Sequence, residues 1–325
     1  MVGSLVLFGV AGAAIALTTD FRVVLGLRLL QGIGWGSLTP LIITAIGDFY
    51  SGTTEAAAQG LRLSGSSLTA SAFSLLAGAL VVLAWQFPFA IYLLALPIAA
   101  IVWIWLDEPT DSNTDDGGSL WAYRDTLTEL LSHRRVLLIV IARTLQISVW
   151  TGFTAYNSIV VIRILGGTPV QAGLLFAVGT LSMAVGASQV GRVAGILGNR
   201  YRVLYLANAA LGLGFATFAL APILPLSGVG VAALGATHGI AVSTYRSLIT
   251  GFAPESVRAG LVSLGEAGAR VTAMATPIAI GGVIALFAAA TGFTAAVQLG
   301  TVLVGGVAGG GGILLVFLAR RMPAV

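Results

Sequence analysis

Five arginines stand inside long apolar stretches of this 325-residue sequence: Arg28, Arg62, Arg143, Arg246 and Arg270. A cationic side chain at the centre of a bilayer costs about 2.5 to 3.5 kcal/mol on insertion scales, so each is a candidate for binding an anion or balancing a carboxylate. Near an interface the same side chains would snorkel and need no such role. Two of them head polar stripes. Arg28, Gln31, Trp35 and Thr39 follow at i, i+3, i+7 and i+11, and Arg143, Gln146, Trp150, Thr154 and Asn157 repeat the pattern over four turns. Each set lies on one face of a helix. Such a face suits a wet cavity that meets a polar solute, while hydrogen bonding between packed helices, at about 0.6 kcal/mol per contact, is the alternative reading. Glu266 and Arg270 stand at i and i+4, the spacing of an ion pair along a helix. Glu266 also offers a group whose charge can change, as ion-coupled transport requires; a purely structural pair is the other reading. His238 can titrate near neutral pH and reads either as cavity-lining or as a packed interhelical donor.

Long helices in a bilayer are what must position these groups. The chain is 57% hydrophobic and 9% charged, against about 25% charged residues in soluble domains. Each crossing of a hydrocarbon core about 30 Å thick takes around 20 apolar residues. Ten blocks qualify, over 2–18, 22–47, 58–84, 87–106, 136–163, 169–192, 202–222, 226–249, 258–288 and 292–319. They are expected to be helices, because membrane strands would show alternating segments of about ten residues. The fold class is therefore all-α integral membrane, with ten transmembrane helices split four and six. Glycines such as Gly305, Gly306, Gly309 and Gly310 fit this setting, where small residues let helices approach closely.

The longest interruption carries Asp107, Glu108, Asp111, Asp115 and Asp116, then Leu120, Tyr123, Leu127, Leu130 and Leu131 at helical spacing. We read residues 1–106 as a partial N-terminal bundle, 107–135 as a cytoplasmic linker with a surface helix, and 136–325 as a six-helix bundle. Arg124, Arg134, Arg135, Arg192, Arg200, Arg202, Arg258, Arg320 and Arg321 fall on one side of the membrane, against Arg22 and Arg163 on the other. The positive-inside rule then places both termini in the cytoplasm of a multi-pass cell-membrane protein.

Several function classes drop out. The net charge of +4 arises from scattered arginines, which do not form the basic patch of a nucleic-acid binder. There is no cysteine, and His133 and His238 lie far apart, so no metal site and no cofactor is expected. Without lysine there is no phosphate-binding loop ending in Lys-Ser or Lys-Thr. A membrane-embedded lipid enzyme would have to draw on the acidic linker, which reads as solvated.

Gly60-Leu61 and Gly65 recur as Gly260-Leu261 and Gly265, and Gln31-Gly32 is echoed by His238-Gly239. Offsets near 200 are expected of two similar bundles about a central axis. Arg28-Leu29-Leu30-Gln31-Gly32-Ile33-Gly34, followed by Pro40 and Gly47-Asp48, resembles the R-x-x-Q-G-x-G motif in the fourth helix of the major facilitator superfamily of secondary transporters. Gly195 to Arg202 is similar to that family's loop between its eighth and ninth helices, with Asn199 in place of the acid and a shortened basic cluster. Pro277 to Gly282 resembles its Pro-Gly-Gly element; the antiporter signature of its fifth helix is not met.

The resemblance implies that this chain corresponds to the third through twelfth helices of a twelve-helix fold. Two helices would then precede Met1 in an intact protein, and a truncated, inactive or partner-dependent relative stays open as an alternative. It also implies that the second, fifth and eighth blocks line the cavity. Small-solute transport by alternating access follows, driven by an ion or proton gradient. Arg28, Gln31, Trp35, Thr39, Arg143, Gln146, Trp150, Asn157 and His238 are then the cavity candidates, Glu266 and Arg270 the coupling or ion-pair candidates, and Asn199, Arg200 and Arg202 the gating loop. The expected partners are the solute and the lipid bilayer; oligomeric state is left open.

Overall fold

The computed structural model describes the chain except for Ser51, residues 106–129, Leu131, residues 253–254 and residues 324–325; side chains at scattered positions between 39 and 67 and at 255–259 are also outside the description. The described residues fold as helices: α1 (Val2–Ala14), α2 (Phe21–Phe49), α3 (Gly52–Leu83), α4 (Ala95–Trp105), α5 (Arg134–Ser158), α6 (Pro169–Ser188), α7 (Val190–Leu197), α8 (Arg200–Leu220), α9 (Leu224–Phe252), α10 (Glu255–Thr291) and α11 (Phe293–Arg321). A 3-10 turn, Ile15–Leu17, extends α1, and another, Phe87–Leu94, leads into α4. A π-helical segment, Ile159–Ile164, continues α5. Seven of the resulting rods are long and apolar enough to cross a membrane, and Val2–Leu17 and Leu68–Leu83 are shorter apolar stretches.

Local sequence sets the ends. Asp20 accepts from the Arg22 amide at 2.8 Å and starts α2, and Thr168 with Gln171 closes a reciprocal capping box on α6, satisfying amides that a first helical turn leaves without partners. The chain divides into two compact units, Met1–Asp116 and Gly117–Val325. The expected surface helix falls mostly outside the described residues. Leu130, which is described, is buried in the core of the second unit.

In the first unit α1 lies against α2 and the Phe87–Trp105 rod. Gly34 of α2 faces the backbone of Ser4 and Phe8, where a Cβ would stand 2.9 Å from the Ser4 carbonyl. The second unit has two apolar clusters. One gathers Val136, Ile139, Leu204, Tyr245 and Leu261; the other gathers Phe153, Phe215, Phe218, Leu234 and Ile280. Inside a bilayer, apolar burial carries no transfer free energy, so dispersion and close helix approach hold these clusters together.

That approach is extreme between α6 and α9. A Cβ on Gly186 would fall on the Ala236 carbonyl, one on Gly239 on the Met183 carbonyl, and one on Gly235 on the Gly179 carbonyl. Gly305 and Gly309 of α11 do the same work against Asn208 and Gly212 of α8. Gly306 and Gly310, expected to share that role, face open space instead, because on a helix only one side of such a glycine run meets the neighbour.

Candidate functional site

The expected stripe on α5 is the spine of the site in the second unit. Arg143 is 4% exposed, and its Nη2 donates to Glu266 Oε1 at 3.1 Å. The same carboxylate oxygen accepts from Arg246 Nη2 at 3.0 Å and Nε at 3.3 Å. Glu266 thus joins α5, α9 and α10. The pairing expected from its i, i+4 spacing to Arg270 is not among its ion pairs: α10 turns Glu266 toward the two arginines of its neighbours, and Arg270 is exposed. Arg143 Nε and Nη1 are buried and meet no acceptor among the described residues.

One turn further along α5, Gln146 is fully buried. Its Nε2 lies 2.5 Å from His238 Nδ1 and 3.4 Å from the His238 carbonyl. With the amide donating, Nδ1 is the acceptor and the ring hydrogen sits on Nε2. The His238 ring stacks on Trp150 at 5.1 Å and 23°, and Trp150 continues to Phe153 at 5.6 Å and Phe176 at 6.3 Å. The stripe is therefore two-tiered, with charges at Arg143 and aromatic rings from Trp150 onward.

Beyond Trp150 the stripe changes character. Thr154 donates back to the Thr151 carbonyl at 3.0 Å. Asn157, expected on a solute face, is buried and donates to the Ala172 carbonyl at 2.8 Å, so it is a strut between α5 and α6, as its place beside the capped start of α6 dictates. Arg246, singled out in the sequence as a cation inside an apolar stretch, is not linked there to Glu266, a pairing that only the packing of α9 against α10 reveals. The buried tie from Asn208 to Tyr245 OH at 2.8 Å, which sequence reasoning missed, carried no comparable signal.

In the first unit Arg28 Nη1 donates to Gln31 Oε1 at 2.8 Å and approaches Tyr92 OH at 3.5 Å, and its guanidinium lies 5.5 Å from the Phe89 ring centroid. Gln31 is buried. Trp35 is 61% exposed and its ring is 5.7 Å from that of Phe8. The Thr39 side chain lies outside the described residues. The loop expected to gate is a tight helix junction. Gly198, at φ +64°, ends α7, and Asn199 accepts from the Tyr201 amide at 2.8 Å to cap α8. Arg200 reaches the Ser247 carbonyl and Arg202 the Leu197 carbonyl, each at 3.5 Å. Among the described residues no three His, Asp or Glu side chains gather as a metal site would require.

Long apolar helices in two units, with an arginine buried against a carboxylate inside one of them, define a polytopic integral membrane protein. Residues 1–277 match the family model described as Major Facilitator Superfamily, and the chain belongs to that family. It resembles the structure of a bacterial homologue of the human lysosomal transporter Spinster, inward-facing and unoccupied, with a TM-score of 0.85 at 14% identity over 98% of this chain and 82% of the other. The inward-facing, occupied form of that protein gives 0.73 at 15% identity, over 99% and 82%. The E. coli fucose:proton symporter FucP gives 0.57 at 14% identity, over 99% and 83%. At such identities the likeness is one of fold. No curated protein sequence matches significantly. Family membership makes the chain a membrane transporter and not an enzyme.

Proposed function

We propose that this chain carries a small solute by alternating access, driven by an ion or proton gradient, and that Arg143, Gln146 and Trp150 of α5 contact that solute. The observation that carries this reading is the two-tiered cluster itself. In a chain that is 9% charged, a buried guanidinium, a buried amide and a histidine stacked on tryptophan converge from α5, α9 and α10. Burying such groups costs free energy, and a transporter recovers that cost in solute recognition. Glu266, a carboxylate whose charge can change and which ties α5, α9 and α10 together, is the candidate for coupling. Arg28 and Gln31 form the matching polar group of the first unit. The chain sits in the cell membrane with both termini cytoplasmic, needs no cofactor, and has the solute and the bilayer as its partners.

The test is flux in proteoliposomes under an imposed proton gradient, using a panel of radiolabelled small solutes with the chain and its variants. Arg28→Ala and Trp150→Ala are expected to abolish uptake while inserting normally. If both variants carry solute at the native rate, the stripes are packing features and the proposal is wrong.

A further inference from the structure

We propose that Arg143, Arg246 and Glu266 form a binding site for one singly charged oxyanion, a carboxylate, sulfonate or phosphodiester group, which makes organic monoanions the solute class if the transport reading above holds. Two guanidinium groups face one carboxylate here, so the cluster carries one surplus positive charge. The surplus stands at the open edge of the cluster, on Arg246, which is 46% exposed, beside the buried guanidinium of Arg143, which has a single carboxylate oxygen as its ion-pair partner. The hydrogen bonding is unbalanced in the same sense. Both arginines converge on a single oxygen, Glu266 Oε1, while Arg143 Nε and Nη1 find no acceptor. A guanidinium presents its donors as a planar fork that matches two oxygens of one anion, and Glu266 serves Arg143 with only one.

The cluster is also reachable. Arg246 is 46% and Glu266 37% exposed, and both border a cleft completed by Arg143, Ile249, Val262 and Gly265. Gly265 leaves the wall of this opening uncrowded, since even a Cβ there would meet only Ile249, at 3.9 Å. The cleft itself, at about 10 Å³, has room for a single water, so an oxyanion arriving at the exposed Arg246 binds by displacing Glu266 from the two guanidinium groups, and in doing so brings the local charge to zero. A dianion would overshoot to net negative, and a cation would add to the surplus. Glu266 acts as the internal competitor for the same donors, so the anion binds against it.

The full chain, purified in neutral detergent at constant ionic strength, is titrated by calorimetry with benzoate and with methanesulfonate. In a second arm the chain sits in phosphatidylcholine nanodiscs doped with phosphatidylglycerol, which offers the same chemistry as a lipid headgroup. One saturable site is expected. Arg246→Gln should weaken it about tenfold or more, the loss of a charge-assisted hydrogen bond, and Glu266→Gln should tighten it. If Glu266→Gln does not yield folded protein, Arg246→Lys replaces it and should weaken binding less than Arg246→Gln does. Saturable binding of the soluble anions identifies a solute site, and binding of phosphatidylglycerol alone, with the same dependence on Arg246, identifies a lipid headgroup site; both support the proposal. Absence of binding in both arms, or binding unchanged by Arg246→Gln, overturns it. Anion binding without flux in the solute panel would sink the transport reading and leave the site standing. Flux that persists in Arg246→Gln without measurable anion binding would do the reverse.

Discussion

Replacing Gly186 by alanine tests the packing that holds the second unit together. The added Cβ falls on the peptide of Ala236 in α9, within 2.6 Å of its carbonyl carbon and 2.7 Å of its Cα. Backbone cannot swing aside as a side chain can, so α6 and α9 must part. Overpacking of this kind costs about 1 to 3 kcal/mol, and the upper end applies because the neighbouring contacts at Gly179–Gly235 and Met183–Gly239 open with it. A gap of 0.5 to 1 Å forfeits roughly a quarter to a half of each dispersion well along the seam. For a unit of this size each kcal/mol moves Tm by about 2 to 4 °C, so a loss near 3 kcal/mol corresponds to roughly 6 to 12 °C. Thermal unfolding in detergent, followed by tryptophan emission and by the monodisperse fraction after heating, reads this directly. Gly310→Ala is the control: nothing lies within 4 Å of its Cβ position, and such a substitution stays within about 0.5 kcal/mol. Equal Tm values for Gly186→Ala and Gly310→Ala would refute the seam.

Glu266→Leu leaves Arg143 buried and without its ion-pair partner, at about 3 to 5 kcal/mol, and the double variant Arg143→Met/Glu266→Leu should regain most of that in the same thermal assay. Gln146→Leu removes the donor facing His238 Nδ1 and should cost about 1 to 3 kcal/mol; a smaller loss than Thr154→Val would contradict the assigned contact. Asn199→Ala should cost about 1 kcal/mol through the lost cap on α8 while Asn199→Asp retains it. For orientation, reporter fusions after Arg202 are expected to read cytoplasmic and those near Gln86 and Pro225 external, and the opposite pattern would overturn the assignment of sides.

Positions along one helix were legible from the sequence, and choices between helices were not. Arg143, Gln146 and Trp150 announce a common face because a 3.6-residue period needs no knowledge of neighbours. Glu266 shows the limit: its spacing to Arg270 suggests a pair, yet Arg143 and Arg246 compete for it from α5 and α9, and only the packing decides between them. Asn157 sits in phase with the stripe, but its partner is the Ala172 carbonyl, a group that no side-chain pattern reveals. The glycines of α11 divide for the same reason, Gly305 and Gly309 against α8 and Gly306 and Gly310 away from it. The near contact of α6 and α9 left no mark beyond small residues, which occur on lipid-facing sides as well.

The π-helical stretch Ile159–Ile164, closed by the Leu165 amide on the Val160 carbonyl at 2.9 Å and the Gly167 amide on the Val161 carbonyl at 2.8 Å, is an α-helix with one residue to spare. It makes the junction after α5 an insulator with respect to length changes. Deleting one residue there would let the ladder revert to ordinary α-helical bonding. Everything upstream, including the face from Arg143 to Asn157, would keep its phase. Everything downstream, from Gly166 to the Thr168 cap of α6, would stay in place as well, because the widened turn has already absorbed the extra residue. A one-residue length change at this junction is therefore taken up locally, and neither the chemistry-bearing half of α5 nor the start of α6 is redrawn by it.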